Sequence, residues 1–292
     1  MIRSAGRLLS RCALLTAAAC ALGASCQQTQ PDAPQTTTVS GIWQAHLGTE
    51  EQPQLFAELA NQGFRLLDVS GYAAKGEPRY ASLWLFGDGR GWQEVHGVDA
   101  DTLWKTNDSH VKSGLSLVHV SGFATSKGPR FAAIWEPGAT PGLELEVGLT
   151  DEELTQRLVG DEKSPMRLLD VSAYQDEGAP HFTAIWAPVP EGQPKTTVKV
   201  GLDAPAVDAA IADASAQGAR LVRFGGYEVD GEARFYLLQV VAPGPLWMAR
   251  RDLDAATYQT MLEDMVQVGY RISHLSAYTV KGEARYAVIW TQ

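Results

Sequence analysis

The sequence predicts an α+β repeat protein, five strand–helix–hairpin units joined in tandem. The first observation behind this is self-similarity. Five segments align without gaps at 63–72, 114–123, 165–174, 218–227 and 269–278, with starts 51, 51, 53 and 51 residues apart. The first reads Gly-Phe-Arg-Leu-Leu-Asp-Val-Ser-Gly-Tyr and the last Gly-Tyr-Arg-Ile-Ser-His-Leu-Ser-Ala-Tyr. The second is a glycine-containing turn and another apolar run after each segment, as at Lys75, Gly76 and Glu77 and then Arg79 to Trp84. The third is helix-start chemistry ahead of each segment, preceded by a short alternating run.

From the N-terminus, residues 1–26 read as a secretory signal peptide. Arg3, Arg7 and Arg11 form a basic region, an apolar stretch from Cys12 to Leu22 is too short to span a bilayer, and the small residues Gly23, Ala24 and Ser25 follow. Leu-Gly-Ala-Ser-Cys at 22–26 resembles a bacterial lipobox, which makes Cys26 the expected lipidation site and the mature N-terminus; its large aliphatic residue stands one position farther from the cysteine than usual. An ordinary cleaved signal is the alternative. Residues 27–40 read as a flexible tether, and 41–292 as a single domain of repeats at about 41–86, 87–138, 139–189, 190–243 and 244–292.

Within a unit the first strand is a short alternating run, such as Leu143 to Val147 or Thr197 to Val200. A helix follows. Thr150 with Glu153 has the form of a capping box, Asp203 (ahead of Pro205) and Asp254 are N-cap candidates, and Tyr258, Met261, Leu262, Met265 and Val266 mark one face at 3.6-residue spacing. A glycine then stops most helices, and two β-branched, aromatic-rich runs around a tight turn form a hairpin. One helix and three strands cannot bury both faces alone, so units must pack on each other. The first and last repeats carry the same apolar residues as the middle ones, without polar caps. That predicts closure of the five units as an α/β-propeller-like ring; an open superhelix is the alternative.

All three cysteines, Cys12, Cys20 and Cys26, precede the repeats, so no disulfide, thiolate ligand or cysteine nucleophile is expected in the folded part. The formal charge of −10 becomes −13 once the three signal arginines are removed, which argues against nucleic-acid or anionic-membrane binding.

The consensus Gly-x-Arg-Leu-x-Asp-Val-Ser-Gly-Tyr, then Gly-Glu-x-Arg-Tyr-Ala-x-Ile-Trp, resembles a bacterial tandem-repeat family that also supplies the N-terminal domain of fungal polyglycine hydrolases. In those hydrolases the catalytic serine lies in a separate domain similar to serine β-lactamases. The present sequence ends with its repeats, so the resemblance implies a fold and no activity. Ser109 and Lys112 have the S-x-x-K spacing of such enzymes, but in one repeat only and without companion motifs; no catalytic residue is assigned.

The repeat columns offer better candidates. Beside the apolar positions of Leu67 and Val69 runs a polar column: Asp68, His119, Asp170, Arg223 and His274. Convergence of these groups could create a ligand-facing, metal-binding or acid–base site; otherwise each satisfies its own unit. A second column, Arg79, Arg130, His181, Arg234 and Arg285, could pair with the first or with turn carboxylates such as Glu77. Tyr72, Phe123, Tyr174, Tyr227 and Tyr278, with Trp84, Trp135, Trp186 and Trp290, read as core between units, with sugar stacking as the alternative. Trp43, Trp92, Trp104 and Trp247 are less regular, and one of them could sit in a groove.

The expectation for function is an exported, envelope-tethered, non-enzymatic module that binds a peptide, glycan or protein. It is lipid-anchored at the outer membrane or cell surface, with a periplasmic or secreted location as the alternative. No cofactor, metal or nucleic acid is expected. The rivals are a hydrolase or metal-dependent enzyme using the Asp/His column, and a structural envelope component.

Overall fold

The computed structural model describes residues 41–48, 51–87, 89–138, 140–161, 166–189, 192, 194 and 196–292. The segment read as signal and tether, with Cys26, lies outside the described residues, as do Pro165 and the side chain of Trp43. No described helix is long and apolar enough to cross a membrane.

Every repeat is one strand, one helix and a hairpin. Unit 1 has β1 (Gly41–Gly48), α1 (Glu51–Asn61), β2 (Phe64–Ala74) and β3 (Glu77–Phe86). Unit 2 has β4 (Gln93–Val98), α2 (Ala100–Lys112), β5 (Leu115–Thr125) and β6 (Gly128–Pro137). Unit 3 has β7 (Glu144–Leu149), α3 (Asp151–Asp161), β8 (Met166–Asp176) and β9 (Ala179–Pro188). Unit 4 has β10 (Thr196–Leu202), α4 (Ala204–Ala216), β11 (Ala219–Val229) and β12 (Glu232–Val241). Unit 5 has β13 (Trp247–Leu253), α5 (Ala255–Gln267), β14 (Arg271–Val280) and β15 (Glu283–Thr291). Each forms a three-stranded antiparallel sheet whose central strand is the last in sequence, as in the order β1-β3-β2.

Local chemistry explains these elements. Thr150 and Glu153 form the expected reciprocal capping box, and Asp203 and Asp254 accept from the amides of Ala206 and Thr257. Asp99 does the same for Thr102, a cap not singled out in the sequence. Gly63, Gly114, Gly218 and Gly269 end their helices at φ between 68° and 86°. Lys75–Gly76, Asp230–Gly231 and Lys281–Gly282 all hold positive φ at both residues, the handedness that matches strand twist in two-residue hairpins. On α5, Tyr258 and Leu262 are buried and Met261 and Met265 pack beside them, but Val266 is exposed, against the expected stripe.

One irregularity recurs in all five hairpins. The register shifts between Leu66 and Asp68, Leu117 and His119, Leu168 and Asp170, Leu221 and Arg223, and Ile272 and His274. A β-bulge inserts one residue and so reverses the alternation of faces. In unit 1, Leu66, Val69, Tyr80 and Trp84 consequently pack with Phe56 and Leu59 of α1, whereas Tyr72, Ala81 and Leu83 face a neighbouring unit.

Packing between units repeats the same contact. Phe123 of unit 2 meets Tyr80 of unit 1 edge-on, Tyr174 meets Phe131, Tyr227 meets Phe182, and Tyr278 meets Phe235. The equivalent contact of Tyr72 in unit 1 is with Tyr286 of unit 5, ring centroids 6.2 Å apart at 75°. Tyr72, Ala81 and Leu83 lie in one core cluster with Tyr258, Leu262, Leu275 and Trp290 of unit 5. The tyrosine column is therefore core between units, while the tryptophan column packs against the helix of its own unit, as Trp84 does on Phe56, Trp135 on Asn107 and Trp186 on Arg157. Each large side chain contributes about 1.5–3 kcal/mol by burial.

Candidate functional site

The five bulges bring the polar column into the interior of the domain, where its members bond across units rather than within them. His274 Nδ1 donates to Asp68 Oδ2 at 2.5 Å, and the Leu275 amide donates to the same oxygen at 3.3 Å. His119 Nε2 is 2.9 Å from the Val69 carbonyl, which it addresses directly, and 3.0 Å from Asp68 Oδ1. Its other nitrogen donates to Asp170 Oδ2 at 2.8 Å. Asp170 also accepts from the amides of Val120 and Val171 and from Arg223 Nε at 2.6 Å. The result is one chain of contacts: His274, Asp68, His119, Asp170, Arg223. The alternative that each polar group satisfies its own unit is corrected, because the bulge turns these side chains toward the neighbouring units.

Asp68, His119, Asp170 and His274 are all buried, and Arg223 is half-buried. Burial alone would drive Asp68, His119 and Asp170 toward their neutral forms. Opposite charges outweigh it. The carboxylates of Asp68 and Asp170 hold His119 up to about 10, so that it is a cation at neutral pH. Arg223 and His119 hold Asp170 down to about 2, and His119 and His274 keep Asp68 well below the usual carboxylate range. Imidazole N–H groups engaged with carboxylates and a carbonyl present no lone pair to a metal from those nitrogens, and no group of metal-holding residues occurs among the described residues.

A serine layer lies beside this chain. Ser121 Oγ accepts from the Gly71 amide, Ser172 Oγ from Gly122, and Ser70 Oγ from Ala277 of unit 5. Unit 4 has Gly225 at this position, and a Cβ there would lie 2.3 Å from the Tyr236 hydroxyl. Tyr236 stands where the other units carry Ala81, Ala132, Thr183 and Ala287, so the large side chain occupies the room its missing serine leaves. Burial raises the Tyr236 phenol well above its ordinary value. With Ser70, Ser121, Ser172, Ser276 and His274 it lines a small cavity with space for about one water. His274 Nε2 makes no hydrogen bond among the described residues.

Next along the strands, toward the hairpin turns, a larger cavity of about 180 Å3 opens to solvent. Every unit contributes the same three positions to it, for instance Gly71, Tyr72 and Ala73 of unit 1 and Gly226, Tyr227 and Glu228 of unit 4. The close approach of strands explains the glycines: a Cβ at Gly71 would come within 2.2 Å of the Phe123 ring. Sequence reasoning did not single out this cavity, Tyr236 or the serine layer. The recurring Val-Ser-Gly-Tyr string, broken in unit 4, was the available signal.

The other predicted sites stay apart. Ser109 and Lys112 are exposed on α2, where Lys112 pairs with Asp108. Arg79, Arg130, Arg234 and Arg285 each donate to the carbonyl of the residue before them, and Glu77 is exposed in its turn. Trp247 does line a groove, with α4. Among families of known proteins, the one described as polyglycine hydrolase-like, structural repeat, matches residues 41–85, 89–138, 141–189, 193–236 and 244–292. A comparison with curated proteins gives no match.

Proposed function

The chain belongs to the polyglycine hydrolase-like structural-repeat family, and from that premise we propose that it is a non-enzymatic interaction module whose five units close as an α/β-propeller-like ring around a ligand cavity. The observation that carries this reading is the narrow cavity of about 180 Å3, lined by the same three positions of every unit and open to solvent. Closure is supported by the unit 5–unit 1 contacts: their edge-on ring pair recurs at every other junction, and the Ser70–Ala277 bond repeats those between units 1 and 2 and units 2 and 3. The occupant is a slender segment, a peptide, a glycan chain or a protein loop, because the walls are backbone and aromatic side chains rather than movable loops. The N-terminal pattern supports export and a lipid anchor at Cys26, which would hold the module at the envelope by its tether.

The Asp/His column suits structure better than hydrolysis. Asp170 already accepts four donors, and His119 is a buried cation with both nitrogens engaged, so neither is poised as a general base.

Half-buried Ala73 and Ala124 line the cavity, so tryptophan at both positions should block it without touching the polar column. Retention of envelope peptides, proteins or uncharged glycans by the immobilised chain is expected to vanish in the Ala73→Trp/Ala124→Trp variant; equal retention would contradict the cavity as the site. Cys26→Ser should move the chain from membranes to the soluble fraction, and unchanged fractionation would refute the anchor.

A further inference from the structure

The groove between α4 and β13 differs from the equivalent places on other units. Nine and twelve residues past the N-cap, α4 carries Ala212 and Ser215; α2 carries Asp108 and Val111 there, and α5 carries Glu263 and Val266. The small side chains uncover a groove of about 570 Å3, walled by Ile211, Ala212 and Ser215 on one side and Trp247 and Met248 on the other.

Its chemistry is that of a polyhydroxylated, anionic ligand. The half-buried indole of Trp247 is fixed by its N–H to the Ala219 carbonyl at 3.0 Å, giving a rigid aromatic wall. At one end Arg251 holds Asp208 through two parallel bonds of 2.9 and 2.6 Å, while the Asp208 side chain keeps 58% of its surface exposed. That carboxylate is a preformed acceptor for hydroxyl groups. Exposed Arg250 lies in the same groove, donates to the Ala249 carbonyl, and has no carboxylate within ion-pair distance among the described residues. Two arginines against one aspartate make the groove locally positive in a strongly acidic domain.

We infer that this groove is a second binding site, for a hexuronate-containing glycan: a sugar ring against Trp247, hydroxyls on Asp208 and Ser215, and the uronate carboxylate on Arg250. The inference rests on the reading of the chain as an interaction module, but uses a site separate from the central cavity.

The test is calorimetric titration of the full chain with tetramers of galacturonate, mannuronate and glucuronate, with cellotetraose and a tetraglutamate peptide as comparisons, while the Trp247 indole N–H is followed by NMR. At least one uronate is expected to bind and shift that resonance, with cellotetraose and the peptide at least about tenfold weaker. Ala212→Glu introduces the residue α5 already tolerates at this position, and should weaken uronate binding by about tenfold or more. The Ala73→Trp/Ala124→Trp variant should bind uronate unchanged, which separates failure of this site from failure of the central one. No binding of any uronate, equal binding of cellotetraose or the peptide, or full affinity in Ala212→Glu would overturn the inference.

Discussion

Unit 4 and its four companions solve the same packing problem with different residues. Where the others present a serine opposite a small residue, unit 4 pairs Gly225 with Tyr236; where they have a tryptophan, it has Gln239; and its column residue is an arginine. The contrast teaches that the repeat constrains volume and polarity at the centre, not residue identity. Counting supplies a second reason. Basic and acidic residues alternate along His274, Asp68, His119, Asp170 and Arg223, and an odd number of positions cannot alternate around the closed array proposed above. Two basic residues must become neighbours, and they do so at the junction of units 4 and 5. There the neutral phenol of Tyr236 lines the cavity beside His274.

The largest effect that would break the comparison lies in the buried column. Asp170→Ala leaves His119 and Arg223 without their shared carboxylate, and chemical denaturation should show a loss of about 3–5 kcal/mol. Arg223→Ala should cost less, because its guanidinium is partly solvated and Asp170 keeps His119 and two amides. Similar losses for both would mean that unit 4 is as deeply embedded as the rest. A smaller effect sharpens the volume argument. Gly225→Ser alone forces its Cβ against Tyr236 and should cost about 1–3 kcal/mol. In a Tyr236→Ala background only the Ser276 hydroxyl, 2.6 Å from the added Cβ, has to turn aside, so a double-mutant cycle should return a favourable coupling above about 1 kcal/mol. Strict additivity would show that the two positions do not compensate.

The third effect is pH dependence. His119 has a raised folded pKa, so its contribution is complete below its unfolded value near 6.5 and is lost as pH rises toward about 10. Asp170 is depressed to about 2; its contribution is complete above its unfolded value near 3.8 and is lost as pH falls through 2. Stability should therefore be greatest between these two windows. It should decline above pH 6.5 by at most about 1.4 kcal/mol per pH unit for one proton. His119→Gln should flatten the alkaline decline in thermal or urea melts, and a persisting slope would assign it elsewhere.

Much of this was legible because it is local. Capping at Thr150, Asp203 and Asp254, the turn at Asp230–Gly231 and the repeat columns all follow from chemistry within a few residues. Convergence of Asp68, His119, Asp170, Arg223 and His274 could be posed as a possibility from the spacing alone. Their partners could not be deduced, because the bulge that reverses strand alternation leaves no residue-type signature at Leu67, Val118, Leu169, Val222 or Ser273. Simple alternation therefore favoured pairing within a unit. Compensation between Gly225 and Tyr236 needs the cross-strand register, and the groove at Trp247 needs the position of α4 against β13. Neither distance is written in a single unit.

The central claim is closure, and the junction of units 5 and 1 tests it most directly. In the purified Cys26→Ser chain with labelled tyrosines, we predict a nuclear Overhauser effect between the rings of Tyr72 and Tyr286, whose hydroxyls lie 3.2 Å apart. It should match in strength the effect between Tyr80 and Phe123 at the junction of units 1 and 2, and remain intramolecular in mixed-label samples. Absence of that effect, or its appearance only between molecules, would contradict a closed array of five units.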